Sequence, residues 1–206
     1  MFHAGNKFPD YSHKNGKYNF YLYFCPKFDR MIETERLRLM PFEDAHFKAA
    51  MKNDLIKLGW LLKVKTPKQW TTFSDMAEAL PFFYDTYKFH GTTWGSFFIV
   101  HKTDKELLGT CGFKGGPDEE SIVEIGYEIR EDYRLQGLAF EAAKGLMDYA
   151  FASGKVKKVW AHTLAVENAS GSVLKKLKFT FIGQFNDPED GDIWRWEISR
   201  QQWAEA

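Results

Sequence analysis

The sequence predicts a mixed α/β domain. Three features carry that reading. Residues 95–101, 107–113 and 121–130 form three consecutive strand-like runs, parted by the turn residues Thr103-Asp104-Lys105 and Gly115-Gly116-Pro117-Asp118. A helix follows the third run, with Ala139, Ala142, Ala143, Leu146 and Ala150 recurring at i, i+3, i+4, i+7 and i+11. Beyond Gly154, which supplies a helix stop, strand and helix patterns alternate to the C-terminus.

Taken in order, residues 1–30 stand apart. They carry nine Phe and Tyr residues and, among aliphatic side chains, little beyond Leu22. Residues 19–24 read as a short strand within this aromatic-rich extension, and the domain proper spans residues 31–206. Arg-Leu-Arg-Leu from Arg36 alternates as a half-buried strand does, and Pro41 ends it. Residues 43–52 form a short helix. Thr66-Pro67 reads as an N-cap and first helical residue, opening a long helical region through Trp70, Phe73, Met76, Ala77 and Leu80 and past Pro81 to Tyr87. After the three strands and the Ala-rich helix, residues 158–165 make a strand. Asn168 caps a helix running to about Leu177. Residues 179–185 and 192–199 are the last two strands. Gly145, inside the Ala-rich helix, costs about 1 kcal/mol relative to Ala unless a close neighbour needs the space.

Composition narrows the function classes. Lys+Arg and Asp+Glu each total 28, so formal net charge is zero. A binder of nucleic acid by charge alone needs a cation surplus, so that class is set aside. No apolar run approaches the roughly 18 residues of a membrane span, and the polar, aromatic first residues lead one to expect no secretory signal. Cys25 and Cys111 are the only cysteines, which suits a reducing cytoplasm. The six histidines show no ligand spacing, so no metal site is expected.

Chemistry points to the junction after residue 130, where Arg134-Leu135-Gln136-Gly137-Leu138-Ala139 leads into the helix. A first helical turn leaves backbone N–H groups unpaired, and the helix dipole adds positive charge there. Gly137 and Ala139 let an anion approach the backbone, and Arg134 adds a full charge; together these make a diphosphate site. A tight strand-to-helix turn explains the same residues without a ligand. There is no Gly-Lys-Ser/Thr, and the glycines from Gly109 to Gly116 do not form a dinucleotide fingerprint.

This order of elements resembles the GNAT acyltransferases, and more closely their ribosomal-protein N-terminal acetyltransferase (RimJ/RimL-like) branch. The resemblance rests on Glu33-Thr34-Glu35-Arg36-Leu37-Arg38-Leu39, Leu108-Gly109-Thr110-Cys111-Gly112-Phe113, Glu124-Ile125-Gly126-Tyr127-Glu128-Ile129, residues 134–142, Glu167-Asn168-Ala169-Ser170 and Val173 to Phe179. It covers roughly residues 31–200. It implies a mostly antiparallel, splayed sheet with helices on both faces, and acetyl-CoA as acyl donor. Leu135, Gln136, Gly137, Leu138 and Ala139 would hold the pyrophosphate, with Arg134 beside them. Glu128, Ile129 and Arg130 would pair with the pantetheine arm as a false neighbouring strand. Asn168 and Ser170 would lie near the thioester. The chain departs from the branch in reading Asn168-Ala169-Ser170 for Asn-x-x-Ser, and Leu177-Lys178-Phe179 for Leu-Gly-Phe. A left-handed residue without glycine is disfavoured, so a local change of turn is expected there.

Acyl transfer to an amine needs a base, an N–H donor for the developing oxyanion and a proton for the leaving thiolate. Glu124 is the candidate base, a solvated strand glutamate its alternative. Ser170 is the candidate proton donor, unless its hydroxyl caps the helix. Tyr127 and His162 read as packing or satisfied strand residues, and Trp194 and Trp196 as core, dimer or acceptor-pocket residues. The function implied is an N-acetyltransferase acting on a protein N-terminus or a small amine. A catalytically silent acyl-CoA-binding domain is the alternative, and pairing into a homodimer is left open.

Overall fold

The computed structural model describes residues 31–71, 76–188 and 190–205; the extension 1–30, with the strand expected at 19–24, lies outside them. One eight-stranded sheet runs in the order β1-β2-β3-β4-β5-β6-β8-β7. Its strands are β1 (Ile32–Glu33), β2 (Leu37–Pro41), β3 (Ser96–His101), β4 (Glu106–Phe113), β5 (Ile122–Tyr127), β6 (Lys158–Leu164), β7 (Thr180–Asp187) and β8 (Gly191–Ser199). The β5–β6 pair is parallel and the other neighbouring pairs are antiparallel.

Helices cover both faces. One face packs against α4 (Leu138–Ala152) and α5 (Ala169–Lys176), around Leu37, Leu39, Phe97, Ile125, Leu146 and Ile198. The other packs against α1 (Asp44–Met51), α2 (Leu55–Leu62) and α3 (Met76–His90), around Phe47, Leu58, Leu80, Phe98 and Leu107. Strand β3 feeds both cores, which is why Phe97, Phe98 and Ile99 are all fully buried in succession. A short α6 (Arg200–Ala204) ends the chain, capped by Ser199 and Gln202.

One expected helix start is corrected. Thr66-Pro67 does not open a helix, because α3 starts at Met76. Thr66 instead donates its hydroxyl to Leu55 O at 2.7 Å, and Lys65 bridges to Glu106 beside β4. The chain is therefore extended where a cap was expected. Helix α2 went unseen because its solvent face is apolar too: Ile56 and Trp60 are exposed, so periodicity vanishes. Pro81 does lie inside α3, as expected.

Two backbone positions repay comment. A Cβ on Gly145 would meet Thr34 Cγ2 at 2.9 Å, so the glycine is the price of docking α4 against β1 and the turn after it. Lys178 takes φ +66°, holding the left-handed turn that the lack of glycine argued against. Its N–H donates to Lys175 O at 3.1 Å and that of Phe179 to Leu174 O at 3.0 Å, a Schellman closure of α5. Leu174 and Phe179 are both buried in the same core, and that packing holds the turn.

Candidate active site

The junction into α4 is built as an anion cradle. A 3₁₀ turn over Glu131–Tyr133 swings the chain out of β5. Leu135 then takes φ +61° and Gly137 φ +77°. Among the described residues, the N–H groups of residues 135–140 find no acceptor in the protein. They stand at the start of a fifteen-residue helix, where the dipole favours an anion. Leu135 is wholly exposed.

A strap from the N-terminal end of the domain holds this loop. Glu141, in the first turn of α4, accepts from the Thr34 hydroxyl (2.6 Å), the Arg36 N–H (2.6 Å) and Arg36 Nε (2.7 Å). Arg36 Nη1 reaches on to Gln136 O at 2.9 Å. Burial pushes the Glu141 carboxyl up, and these hydrogen bonds and the Arg36 charge bring it below the usual carboxylate range. Sequence reading gave Arg36 and Glu141 no role at the site, although both lie in runs that carry the family resemblance.

Beside the loop the sheet opens. Strands β5 and β6 pair only over Ile122–Lys158 to Glu124–Trp160. Past that, β5 stays with β4: Glu128 N–H donates to Thr110 O (2.8 Å) and Arg130 N–H to Leu108 O (2.7 Å). Alternation then turns the backbone of Tyr127 and Ile129 toward the gap. The gap is a cleft of about 340 Å³ whose lining includes Tyr127, Glu128, Ile129, Arg134, Ala139, His162, Asn168 and Ser170. A seam of this shape, with unpaired amides at its mouth, fits an extended arm ending in a diphosphate.

The expected residues divide. Arg134 lines the cleft and donates Nε to Ile129 O at 3.1 Å. Arg130 faces away, engaged with Glu106, Asp132 and Leu107 O. Of residues 128–130, Ile129 alone turns its backbone to the gap. Glu128 lines the cleft with a buried carboxylate that accepts from the hydroxyls of Thr71 (2.7 Å) and Thr110 (3.2 Å). Asn168 lines the cleft too, and caps α5 by accepting from Gly171 N–H at 2.8 Å. The hydroxyl that bonds the cap residue's carbonyl belongs to Ser172, not Ser170. The Ser170 carbonyl accepts from Tyr127 OH at 3.2 Å, and burial pushes that phenol up. Tyr127 thus packs in the core and lines the cleft at once.

Glu124 is neither solvated nor on the cleft wall. Its Oε1 lies 2.6 Å from Lys114 Nζ and 2.9 Å from His162 Nδ1. Burial pushes its carboxyl up, but the His162 hydrogen bond and the Lys114 charge outweigh that and hold it near about 2. His162, which does line the cleft, accepts at Nε2 from Arg195 Nε at 3.0 Å. That network assigns the neutral imidazole with its proton on Nδ1. Trp196 is buried and donates to Thr163, while Trp194 stacks edge-on against Phe181.

Comparison with known proteins agrees with this geometry. The acetyltransferase (GNAT) domain family matches residues 36–180. The uncharacterized N-acetyltransferase YjdG of Bacillus subtilis (strain 168) is 33% identical over 154 residues, covering 72% of this chain and 89% of its own length. The structure of RimL, a ribosomal L7/L12 alpha-N-protein acetyltransferase in complex with coenzyme A, superposes with a TM-score of 0.62 at 18% identity, covering 84% of this chain and 99% of that one. An acetyl transferase from Salmonella typhimurium, which modifies the N-terminal serine of L7/L12, gives 0.60 at 17% identity, with 82% and 98% covered. The two structural likenesses speak for the fold; the family match, over most of the chain, says that this protein belongs to the GNAT acetyltransferases.

Proposed function

We propose that the protein is an acetyl-CoA-dependent N-acetyltransferase that moves an acetyl group to a primary amine, on a protein N-terminus or a small molecule, by direct attack in a ternary complex. The observation that carries this is the open β5–β6 seam with unpaired amides of residues 135–140 at its mouth. The thioester supplies the activated acyl carbon. Leu135, Gln136, Gly137, Leu138 and Ala139 hold the diphosphate through their amides, with Arg134 alongside. The seam-facing backbone of Ile129 pairs with the arm, and Asn168 shapes the cleft wall.

Glu124 acts through His162: the carboxylate holds Nδ1–H, and Nε2 takes the amine's proton once Arg195 yields it. The neutral amine then attacks the acyl carbon, forming the C–N bond as the C–S bond breaks, which leaves one surplus proton on the nitrogen. Ser170, whose hydroxyl makes no hydrogen bond among the described residues and whose residue lines the cleft, passes its proton to the sulfur and takes the surplus one from the nitrogen. The catalytic domain spans residues 31–206, residues 1–30 being an extension of it. The two cysteines suit a cytoplasmic setting.

Thiol release from acetyl-CoA, followed with a panel of amines and N-terminal peptides, tests the reading. Amine-dependent release is expected. CoA binding without transfer to any amine would mark a silent acyl-CoA-binding domain instead.

A further inference from the structure

One guanidinium beside the cleft is held in place without an ion pair among the described residues. His162 and Arg195 face each other across β6 and β8, and their single hydrogen bond joins Nε to Nε2 at 3.0 Å. Strand β8 lies between β6 and β7, so Trp160 and Phe185 flank the guanidinium from both sides, each ring centroid 4.2 Å from Cζ. Stacking shields the flat faces and leaves the Nη edge as the polar surface. Arg195 forms no ion pair and no second hydrogen bond among the described residues.

The charges around it are otherwise matched. Lys114 pairs with Glu124 at 2.6 Å and Lys158 with Glu197 at 2.9 Å. His162 offers Arg195 a ring nitrogen, not a negative charge. The array therefore carries one positive charge more than its carboxylates match, and Arg195, which shares the field of Glu197 with Lys158, is its cation without an ion pair. It lies on the sheet face opposite α4 and α5, since Ala161 and Trp196, the alternate residues on the same strands, belong to the α4–α5 core. The amide cradle opens α4, so an anion meeting Arg195 is not the donor's diphosphate.

We propose that Arg195 binds a carboxylate on the acceptor, so that the preferred acceptors are primary amines that also carry a carboxylate. The inference rests on the acetyltransferase reading above and deepens it. A planar, pre-oriented guanidinium edge matches a carboxylate fork. The neighbouring Glu124 and Glu197 carboxylates disfavour a phosphate dianion, which one cation does not neutralise. A carboxylate that draws the guanidinium toward itself also frees His162 Nε2 for the amine proton.

The test uses two matched pairs: 4-aminobutyrate with its amide, and a hexapeptide with aspartate as its second residue with the same peptide carrying asparagine there. The acid member of at least one pair is expected to show kcat/KM higher by roughly 10- to 100-fold, the worth of one charged hydrogen-bond pair. The pair that responds tells an amino acid from a peptide. Arg195→Gln should erase the preference and Arg195→Lys most of it, with CoA affinity and circular dichroism unchanged. Equal rates within both pairs, or a preference that survives Arg195→Gln, would overturn the proposal. Calorimetric titration of each acid member into the CoA-loaded protein reads the same site without turnover. Absence of transfer to every amine would therefore sink the acetyltransferase reading alone, and Arg195-dependent binding of an acid member would still support the carboxylate site.

Discussion

Glu124 Oε1 lies 2.9 Å from His162 Nδ1 and 2.6 Å from Lys114 Nζ, so the carboxylate backs an imidazole rather than meeting the cleft itself. Removing its charge should act in two ways. Glu124→Gln is expected to lower kcat by roughly 10²- to 10⁴-fold, the usual share of a general base, with CoA affinity unmoved. A rate within a few-fold of wild type would return Glu124 to a structural role.

The same pair predicts a pH dependence of stability. The carboxyl is held near about 2, below its ordinary 4.5. A depressed carboxyl stabilises the fold above its ordinary value, and that contribution is lost as pH falls through the folded value. The Tm difference between wild type and Glu124→Gln should therefore be full at pH 7 and shrink as pH falls from about 4.5 toward about 2. A difference that stays constant over that window would show that the ion pairs contribute no net stability.

The Thr34–Arg36–Glu141 strap holds the proposed diphosphate loop from a distance. Glu141→Gln leaves Arg36 without its charge partner and should cost about 1–3 kcal/mol in urea unfolding. CoA affinity should fall about tenfold, matching a loss of about 1.4 kcal/mol of pre-organisation. Unchanged affinity in a destabilised variant would confine the strap to folding.

Gly137 is where bulk and charge meet the cradle. Its φ of +77° strains any other residue, and Gly137→Glu also sets a carboxylate against the ligand's own charge. CoA affinity should drop by at least roughly 100-fold, since like charges in contact cost several kcal/mol. Circular dichroism should remain native. Retained affinity would remove the diphosphate site from this loop.

Lys178 offers a gain rather than a loss. A left-handed L-residue costs about 1–2 kcal/mol, partly offset by the greater unfolded-state freedom of glycine. Lys178→Gly should therefore raise stability by about 0.5–1 kcal/mol. No gain in the urea midpoint would mean that the lysine side chain compensates for its own strain.

Much of this was legible along the chain. Three strands with turn residues between them, the Ala stripe of α4, the Asn168 cap and the Arg-x-x-Gly-x-Ala junction are local patterns, and local backbone preferences decide them. They were enough to reach the sheet, the seam's flanking elements and the loop that opens α4. Helix α2 escaped because two apolar residues on its outer face blur the period, and the start of α3 was misplaced because Thr66 spends its hydroxyl on Leu55 O.

The chemistry of the site was decided elsewhere. Glu124 and His162 stand 38 positions apart by their numbers, and Arg195 stands 33 beyond His162, yet adjacent strands bring the three side chains into one line. Sequence alone therefore determined most of the strands and helices and the helix start whose amides are left unpaired. Only the parallel pairing of β5 with β6 and the antiparallel pairing of β6 with β8 decided which carboxylate is neutralised, which imidazole reaches the cleft and which guanidinium is left with its charge unspent. The physical reason is that sheet registry is a long-range hydrogen-bond choice, and electrostatics follows from what that choice places side by side.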